Sequence, residues 1–375
     1  MGWLNRLRAI AKGPELLFRG TFSYDFDGIP LSARNLPAKK RLNLLKCGID
    51  MLLTREHLSG LPPSIQVEPT NVCNLECPLC PTGSSEVKRP QGFMSLDLFN
   101  KLLDELGEVL LTVILYSWGE PFLNKNFFEM VEACSKRDIL TVTSTNGNVT
   151  MTDGDASRLV DVGLTALIIA MDGSTQDIYQ VYRRKGEVEK VKHFAAILQE
   201  AKAKRGSGRP YTNLRVVVNN HNRNDLRNIE QIARDLKVDF FSIKSAGDLT
   251  ANTPFNQFET DDKDMRRYEY TEKNGKRKKK DAIKCPFPFR QPTVFWDGTV
   301  VGCEFDYKTT QPWGKIGDRL FADIWNTKAA IRHRAAILNR KGGPAFCDEC
   351  CPYRDRVQNS CILHSIQTGG EGKSI

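Results

Sequence analysis

Between residues 63 and 250, short β-rich runs alternate with helical ones six times in series, and that alternation leaves few folds open. The strand candidates are Ser64 to Pro69, Leu111 to Tyr116, Ile139 to Ser144, Ala166 to Met171, Leu214 to Asn219 and Phe240 to Ser245. Helical periodicity fills the gaps over Ser95 to Leu106, Asn126 to Lys136, Asp155 to Val162, Val188 to Ala203 and Asp225 to Leu236. Strand–helix units in series predict a parallel sheet with right-handed crossovers, because a right-twisted strand and its helix pack back onto the sheet only in that hand. Six units fall short of the eight that close a barrel, so the expectation is an open, partial α/β barrel of (β/α)6 type.

A chain of 375 residues with 40% hydrophobic content can bury one large core and a smaller second one. It has no run of about 18 apolar residues and no secretory-type N-terminus, so the expected location is the cytoplasm. Eleven cysteines in a compartment that keeps thiols reduced point to metal ligation rather than disulfides. The formal charge of +9 suits a nucleic acid, a membrane surface or an anionic substrate. Its densest cluster, Lys276 to Lys280, lacks the interleaved aromatics that stack on bases and reads as a solvated basic linker, so no nucleic-acid partner is expected.

Four segments follow. Residues 1–62 are read as a helical N-terminal extension in which Trp3, Leu4, Arg6, Leu7 and later Leu42 to Leu53 mix basic and apolar side chains. The reading is a cap on the next domain rather than a segment touching membrane. Residues 63–250 form the barrel, 251–284 a charged linker or insertion, and 285–375 a small cysteine-rich domain.

After the first strand, Cys73, Cys77 and Cys80 form C-x3-C-x2-C on a loop, and in parallel α/β folds ligands gather outside the carboxyl ends of strands. Three thiolates are one short of the usual four for a cubane cluster, which leaves one iron open to a small molecule. Zinc completed by a fourth residue is the rival, since thiolates suit it too, but no histidine lies near this loop.

This loop resembles the radical S-adenosylmethionine (SAM) superfamily, and the similarity runs over roughly residues 63 to 250. The resemblance implies a [4Fe-4S] cluster on Cys73, Cys77 and Cys80, with SAM on the open iron and a 5′-deoxyadenosyl radical made by its cleavage. Ser117-Trp118-Gly119-Glu120-Pro121 is similar to the family's GGEP motif, with Trp118 in place of the first glycine. Gly119 and Glu120 are implied to hold the SAM amino group, and Asn146 in Thr143-Ser144-Thr145-Asn146-Gly147 to line the same pocket. By the same resemblance Asp172 and Arg183 contact the SAM ribose and carboxylate, with Asn219 a further member.

The C-terminal cysteines form a second group. Thr293 to Trp296 and Thr299 to Val301 flank Asp297-Gly298, a hairpin signal that brings Cys285 and Cys303 to adjacent strand ends. Cys347 and Cys350 add a C-x2-C knuckle. The arrangement resembles the SPASM/twitch extension, which implies an auxiliary [4Fe-4S] cluster on Cys285, Cys303, Cys347 and Cys350; a zinc ribbon is the alternative. Cys351 and Cys361 remain as a replacement ligand or as hydrogen-atom donors to a substrate radical. None of the five histidines is assigned a role.

The expected function is a radical SAM oxidoreductase or isomerase that dehydrogenates or epimerises a sugar, cyclitol or nucleotide-linked sugar, fed by a flavodoxin- or ferredoxin-type electron donor. Peptide or protein maturation is the alternative, and a non-catalytic iron–sulfur or zinc protein that binds nucleic acid is the second.

Overall fold

The computed structural model describes residues 15–247, 255–271, 285–339, 342–350 and 362–369. Cys351, Cys361, the Trp3 to Leu7 stretch and the Lys276 to Lys280 run lie outside them.

The chain first forms an antiparallel hairpin of β1 (Phe22–Phe26) and β2 (Ile29–Ala33), then α1 (Ala38–Leu52). Six parallel strands follow: β3 (Ser64–Val67), β4 (Thr112–Ile114), β5 (Leu140–Thr145), β6 (Ala166–Ala170), β7 (Tyr211–Val218) and β8 (Phe240–Ser245). Each pairs with the next in chain order, and β3 does not pair with β8, so the barrel is open as expected. Between the strands run α2 (Leu96–Leu106), α3 (Phe127–Ser135), α4 (Asp153–Asp161), α5 (Gln176–Tyr182), α6 (Val188–Arg205) and α7 (Leu226–Asp235).

Strand alternation sorts the two faces of the sheet. Ile65, Val67, Val113, Leu115, Leu167, Ile169, Leu214, Val216, Phe241 and Ile243 point outward into one core under the helices. There they meet Phe99, Leu102, Leu103 and Leu106 of α2 and Phe127, Met130 and Val131 of α3. Burying each such side chain stabilises the fold by roughly 1.5–3 kcal/mol. Local signals fix the helix starts: Ser95 accepts a hydrogen bond from the Leu98 amide at 3.2 Å, and Thr152 and Asp155 form a reciprocal capping box.

The opposite residues face the barrel interior, and its N-terminal mouth is sealed by the hairpin. Phe26, Ile29 and Leu31 pack on Ile114, Val142, Ala166, Ile168 and Phe240. Here the structure departs from the helical reading of residues 1–62 over 22–33, which form two strands and a turn, while α1 is helical as expected. The missed signal was Asp27-Gly28 between alternating Phe22, Tyr24 and Phe26, a hairpin dipeptide whose Gly28 takes φ +82°.

The C-terminal segment extends both edges of the barrel sheet. β9 (Thr293–Val294) joins β3 in parallel, with β10 (Thr299–Val301) and β11 (Gly314–Lys315) following antiparallel. Short helices α8 (Phe287–Arg290), α9 (Phe321–Trp325), α10 (Lys328–Asn339) and α11 (Ala345–Cys350) surround this edge. β12 (Ile362–Gln367) pairs antiparallel with β8 at the far edge. Between them, residues 255–271 bring Phe255, Phe258 and Tyr268 down onto Leu75, Cys77 and Leu79. No described helix is long and apolar enough to cross a membrane.

Candidate active site

The loop after β3 carries Cys73, Cys77 and Cys80, with Cys77 buried and the other two half-buried in one apolar pocket. N–H donors surround the sulfurs. The Leu75 amide lies 3.5 Å and the Asn146 side-chain amide 3.7 Å from Cys73 Sγ. Arg183 Nη1 lies 3.7 Å from Cys77 Sγ, and the Thr82 and Gly83 amides serve Cys80. Burial nonetheless pushes the Cys73 thiol up to about 12 and the Cys77 thiol up to about 11, and raises Cys80. Buried thiols that stay protonated yet sit among donors suit a metal group that takes the place of the protons. No His, Cys, Asp or Glu group among the described residues converges on a single-ion position. A cubane places its thiolates on separate irons, so three sulfurs around it need not converge.

The expected SAM-binding residues gather at the carboxyl ends of β4 to β7. Gly119 has φ +131°, and a Cβ there would stand 2.2 Å from the Thr70 carbonyl oxygen, so only glycine lets the two loops touch. Glu120 is buried and ties these loops together. Its Oε1 accepts from Thr145 Oγ1 at 2.9 Å and the Phe122 amide at 3.2 Å, and its Oε2 from the Asn146 amide at 2.7 Å. Burial outweighs these donors and pushes its carboxyl up to about 7.

Asn146 also donates to Asn74 Oδ1 at 2.8 Å, joining the β5 end to the cysteine loop. Asp172 is fully buried, accepts from the Val217 amide at 2.5 Å and pairs with Arg183 Nε. The arginine expected to clamp the SAM carboxylate therefore stands between Asp172 and the Cys77 sulfur. Asn219 serves the backbone, its Oδ1 accepting from the His221 amide at 2.9 Å and its Nδ2 donating to the Val217 carbonyl at 3.3 Å.

Trp118, which replaces the motif's first glycine, reaches the C-terminal domain. Its indole N–H donates to the Glu304 carbonyl at 2.8 Å, and its ring meets Phe305 and Tyr307 edge-on. The Glu304 carboxylate turns into the barrel and accepts from Gln66 Nε2 at 2.6 Å. Deeper in the barrel, Arg215 on β7 donates to Asp27 of the hairpin turn at 2.8 Å and to Ser242 at 3.1 Å. Lys244 on β8 lies in the same interior, and burial lowers its ammonium to about 8. None of Gln66, Arg215, Lys244 or Glu304 stands out in sequence; strand alternation would have placed the first three facing inward.

In the C-terminal domain, Cys285 precedes α8, Cys303 follows β10 in a buried position, and Cys347 lies on α11. The Cys350 backbone ends the same helix. The expected hairpin is present, with Val300 opposite Val294 and the Thr299 amide donating to Asp297 at 3.0 Å. His333, given no role from sequence, brings Nε2 to 3.4 Å from Cys347 Sγ. Its ring packs between Trp313 and Phe346, and burial lowers its imidazole to about 4, which keeps it neutral.

Comparison with known proteins agrees with this geometry. Residues 67–233 match the radical SAM superfamily and residues 285–351 match SPASM, an iron–sulfur cluster-binding domain. The PqqA peptide cyclase of Bradyrhizobium diazoefficiens is 28% identical over 180 residues, 48% of this chain and 45% of the cyclase. Mycofactocin maturase MftC of Mycobacterium ulcerans is 27% identical over 178 residues, 48% of this chain and 46% of the maturase. The chain thus matches about half the length of these relatives. The crystal structure of Streptococcus suis SuiB superposes with a TM-score of 0.62 at 13% identity, covering 94% of this chain and 87% of SuiB, and so shares its fold. With a cysteine loop on a six-stranded open barrel and a second cysteine-bearing unit joined to its edge, the chain carries a radical SAM superfamily domain over residues 67–233 and a SPASM iron–sulfur cluster-binding domain over residues 285–351.

Proposed function

We propose that the chain reductively cleaves SAM at a [4Fe-4S] cluster held by Cys73, Cys77 and Cys80, and that the 5′-deoxyadenosyl radical so supplied takes a hydrogen atom from a peptide or protein. The observation that carries the reading is the convergence of three donor-ringed sulfurs, one buried and two half-buried, with Gly119, Glu120, Asn146, Asp172 and Arg183 at the same strand ends. In this reading Arg183 places positive charge beside the Cys77 sulfur, and Asn146 fixes Cys73. Glu120 holds the loops after β4 and β5 at one spacing. The sealed N-terminal mouth keeps water out of the interior where the substrate would lie.

A peptide substrate replaces the sugar or cyclitol preferred from sequence. That preference rested on the count of auxiliary-cluster cysteines and on net charge, whereas the two relatives described above carry the names peptide cyclase and maturase. The dehydrogenase or epimerase outcome gives way with it. Cys285, Cys303, Cys347 and Cys350 hold the auxiliary cluster in this reading, and a flavodoxin- or ferredoxin-type protein delivers the electron. Cys351 and Cys361 have no assigned step.

The test is anaerobic reconstitution followed by an assay for 5′-deoxyadenosine in the presence of a low-potential reductant. The unmodified protein should form it and Cys77→Ala should not. Equal product from Cys77→Ala would overturn the cluster assignment.

A further inference from the structure

Among the described residues, the barrel interior holds more positive charge than it neutralises. Five charged side chains meet there: Asp27 from the hairpin turn, Arg215 from β7, Lys244 from β8, Arg267 from the 255–271 segment and Glu304 from the loop after β10. All four others act on Lys244 through space. Arg215 is paired with Asp27, and Glu304 accepts from Gln66. The side chains of Lys244 and Arg267 form no hydrogen bond or ion pair with the described residues. Arg267 is 5% exposed, its Nε has no partner, and its guanidinium is so close to the β8 end that a Cβ on Gly247 would stand 2.2 Å from Nη1.

Arg267 is buried and Lys244 half-buried, and two unpaired cations so placed are costly unless an anion joins them. Among the described residues, three cations and two carboxylates, all ionised, leave the chamber one surplus positive charge. A single carboxylate balances it, and a phosphate, at about −1.5 to −2, overshoots. The chamber also adjoins the cysteine loop, since Glu304 acts on Cys80 as well as on Lys244.

We propose that Lys244 and Arg267 clamp one carboxylate of the substrate inside the barrel, fixing the substrate's hydrogen relative to the SAM site. This rests on the substrate occupying the barrel interior, as in the proposed function, and it adds the chemical group that is recognised. For a peptide the group is an aspartate or glutamate side chain or a terminal carboxylate. Arg267 supplies a planar fork and Lys244 a point charge.

The experiment uses thermal unfolding of the reconstituted protein, with N-acetylglutamate as the probe, N-acetylglutamine as its neutral counterpart and inorganic phosphate as the other oxyanion. N-acetylglutamate should raise Tm in a concentration-dependent way and N-acetylglutamine should not. Lys244→Met and Arg267→Gln should each raise the ligand-free Tm by about 2 °C, because each removes uncompensated buried charge, and each should abolish the response to the probe. No response of the unmodified protein to N-acetylglutamate overturns the clamp, whatever the variants do. So does a response that survives in both variants, and an equal or larger response to phosphate overturns the choice of a carboxylate. None of these readings needs SAM turnover. If the probe response is as expected and no 5′-deoxyadenosine forms, the proposed reaction falls and the clamp stands.

Discussion

Arg89 grips Glu68 with two parallel hydrogen bonds, Nη2 to Oε1 at 2.7 Å and Nη1 to Oε2 at 3.0 Å, while its guanidinium lies 3.7 Å above the ring of Phe295. Glu68 follows β3 at the start of the cysteine loop, and Phe295 follows β9 in the C-terminal domain. One ion pair thus pins the loop, the barrel and the added domain at one point, and burial raises the Glu68 carboxyl.

Arg89→Ala leaves that buried carboxylate without its ion pair and with only the Trp296 amide, at 3.3 Å, as a donor. It should destabilise the fold by about 3–5 kcal/mol, and Arg89→Lys by less, since lysine keeps the charge and loses the fork. Denaturant unfolding measures both. A loss under about 1 kcal/mol for Arg89→Ala would show that Glu68 reaches water.

Trp118→Gly restores the glycine usual at that motif position and removes the indole bond to Glu304 together with two aromatic contacts. The expected cost is about 3–5 kcal/mol. Hydrogen exchange should quicken over residues 303–316 while β6 and β7 stay protected. Uniform quickening would mean that Trp118 supports the whole fold rather than the contact between its two parts.

Glu120 gives a pH dependence of stability. Its folded-state carboxyl sits at about 7, above its usual 4.5. The folded state therefore binds the extra proton between those values, and the contribution is full below about 4.5 and lost as pH rises through about 7. Glu120→Gln should flatten the slope of Tm against pH in that window, measured on cluster-free protein. An unchanged slope would assign the dependence to other groups.

Cys303 tests the auxiliary site. It is 6% exposed, so Cys303→Ala disturbs little surface. Iron should fall from about eight per chain to about four, because a [4Fe-4S] cluster holds four irons. About four in the unmodified protein would leave no place for a second cubane.

The barrel was readable because two periodicities alternate along it. β6 over Ala166–Ala170 and β8 over Phe240–Ser245 fall within or on the bounds expected from their residues. The cysteine loops were readable because cysteine spacing is a local property. The barrel's charged interior was not, since Asp27, Arg215, Lys244, Arg267 and Glu304 come from five distant segments and only the fold collects them. Arg183 shows a different limit: sequence placed it in the pocket, and only packing gave it Asp172 and Cys77 as neighbours. His333 was invisible for the same reason, its meeting with Cys347 depending on how α10 and α11 cross.

The C-terminal segment covers both open edges of the barrel, β9 against β3 and β12 against β8. A nascent chain that has emerged only as far as β8 therefore has two bare strand edges, each a template for wrong pairing. The cysteine loop then lacks the Phe295 ring beneath Arg89, and β8 lacks its last neighbour until about residue 367 leaves the ribosome. Cluster insertion before that point would load an unfinished frame, so metal loading is coupled to the emergence of β12 by the order of the strands.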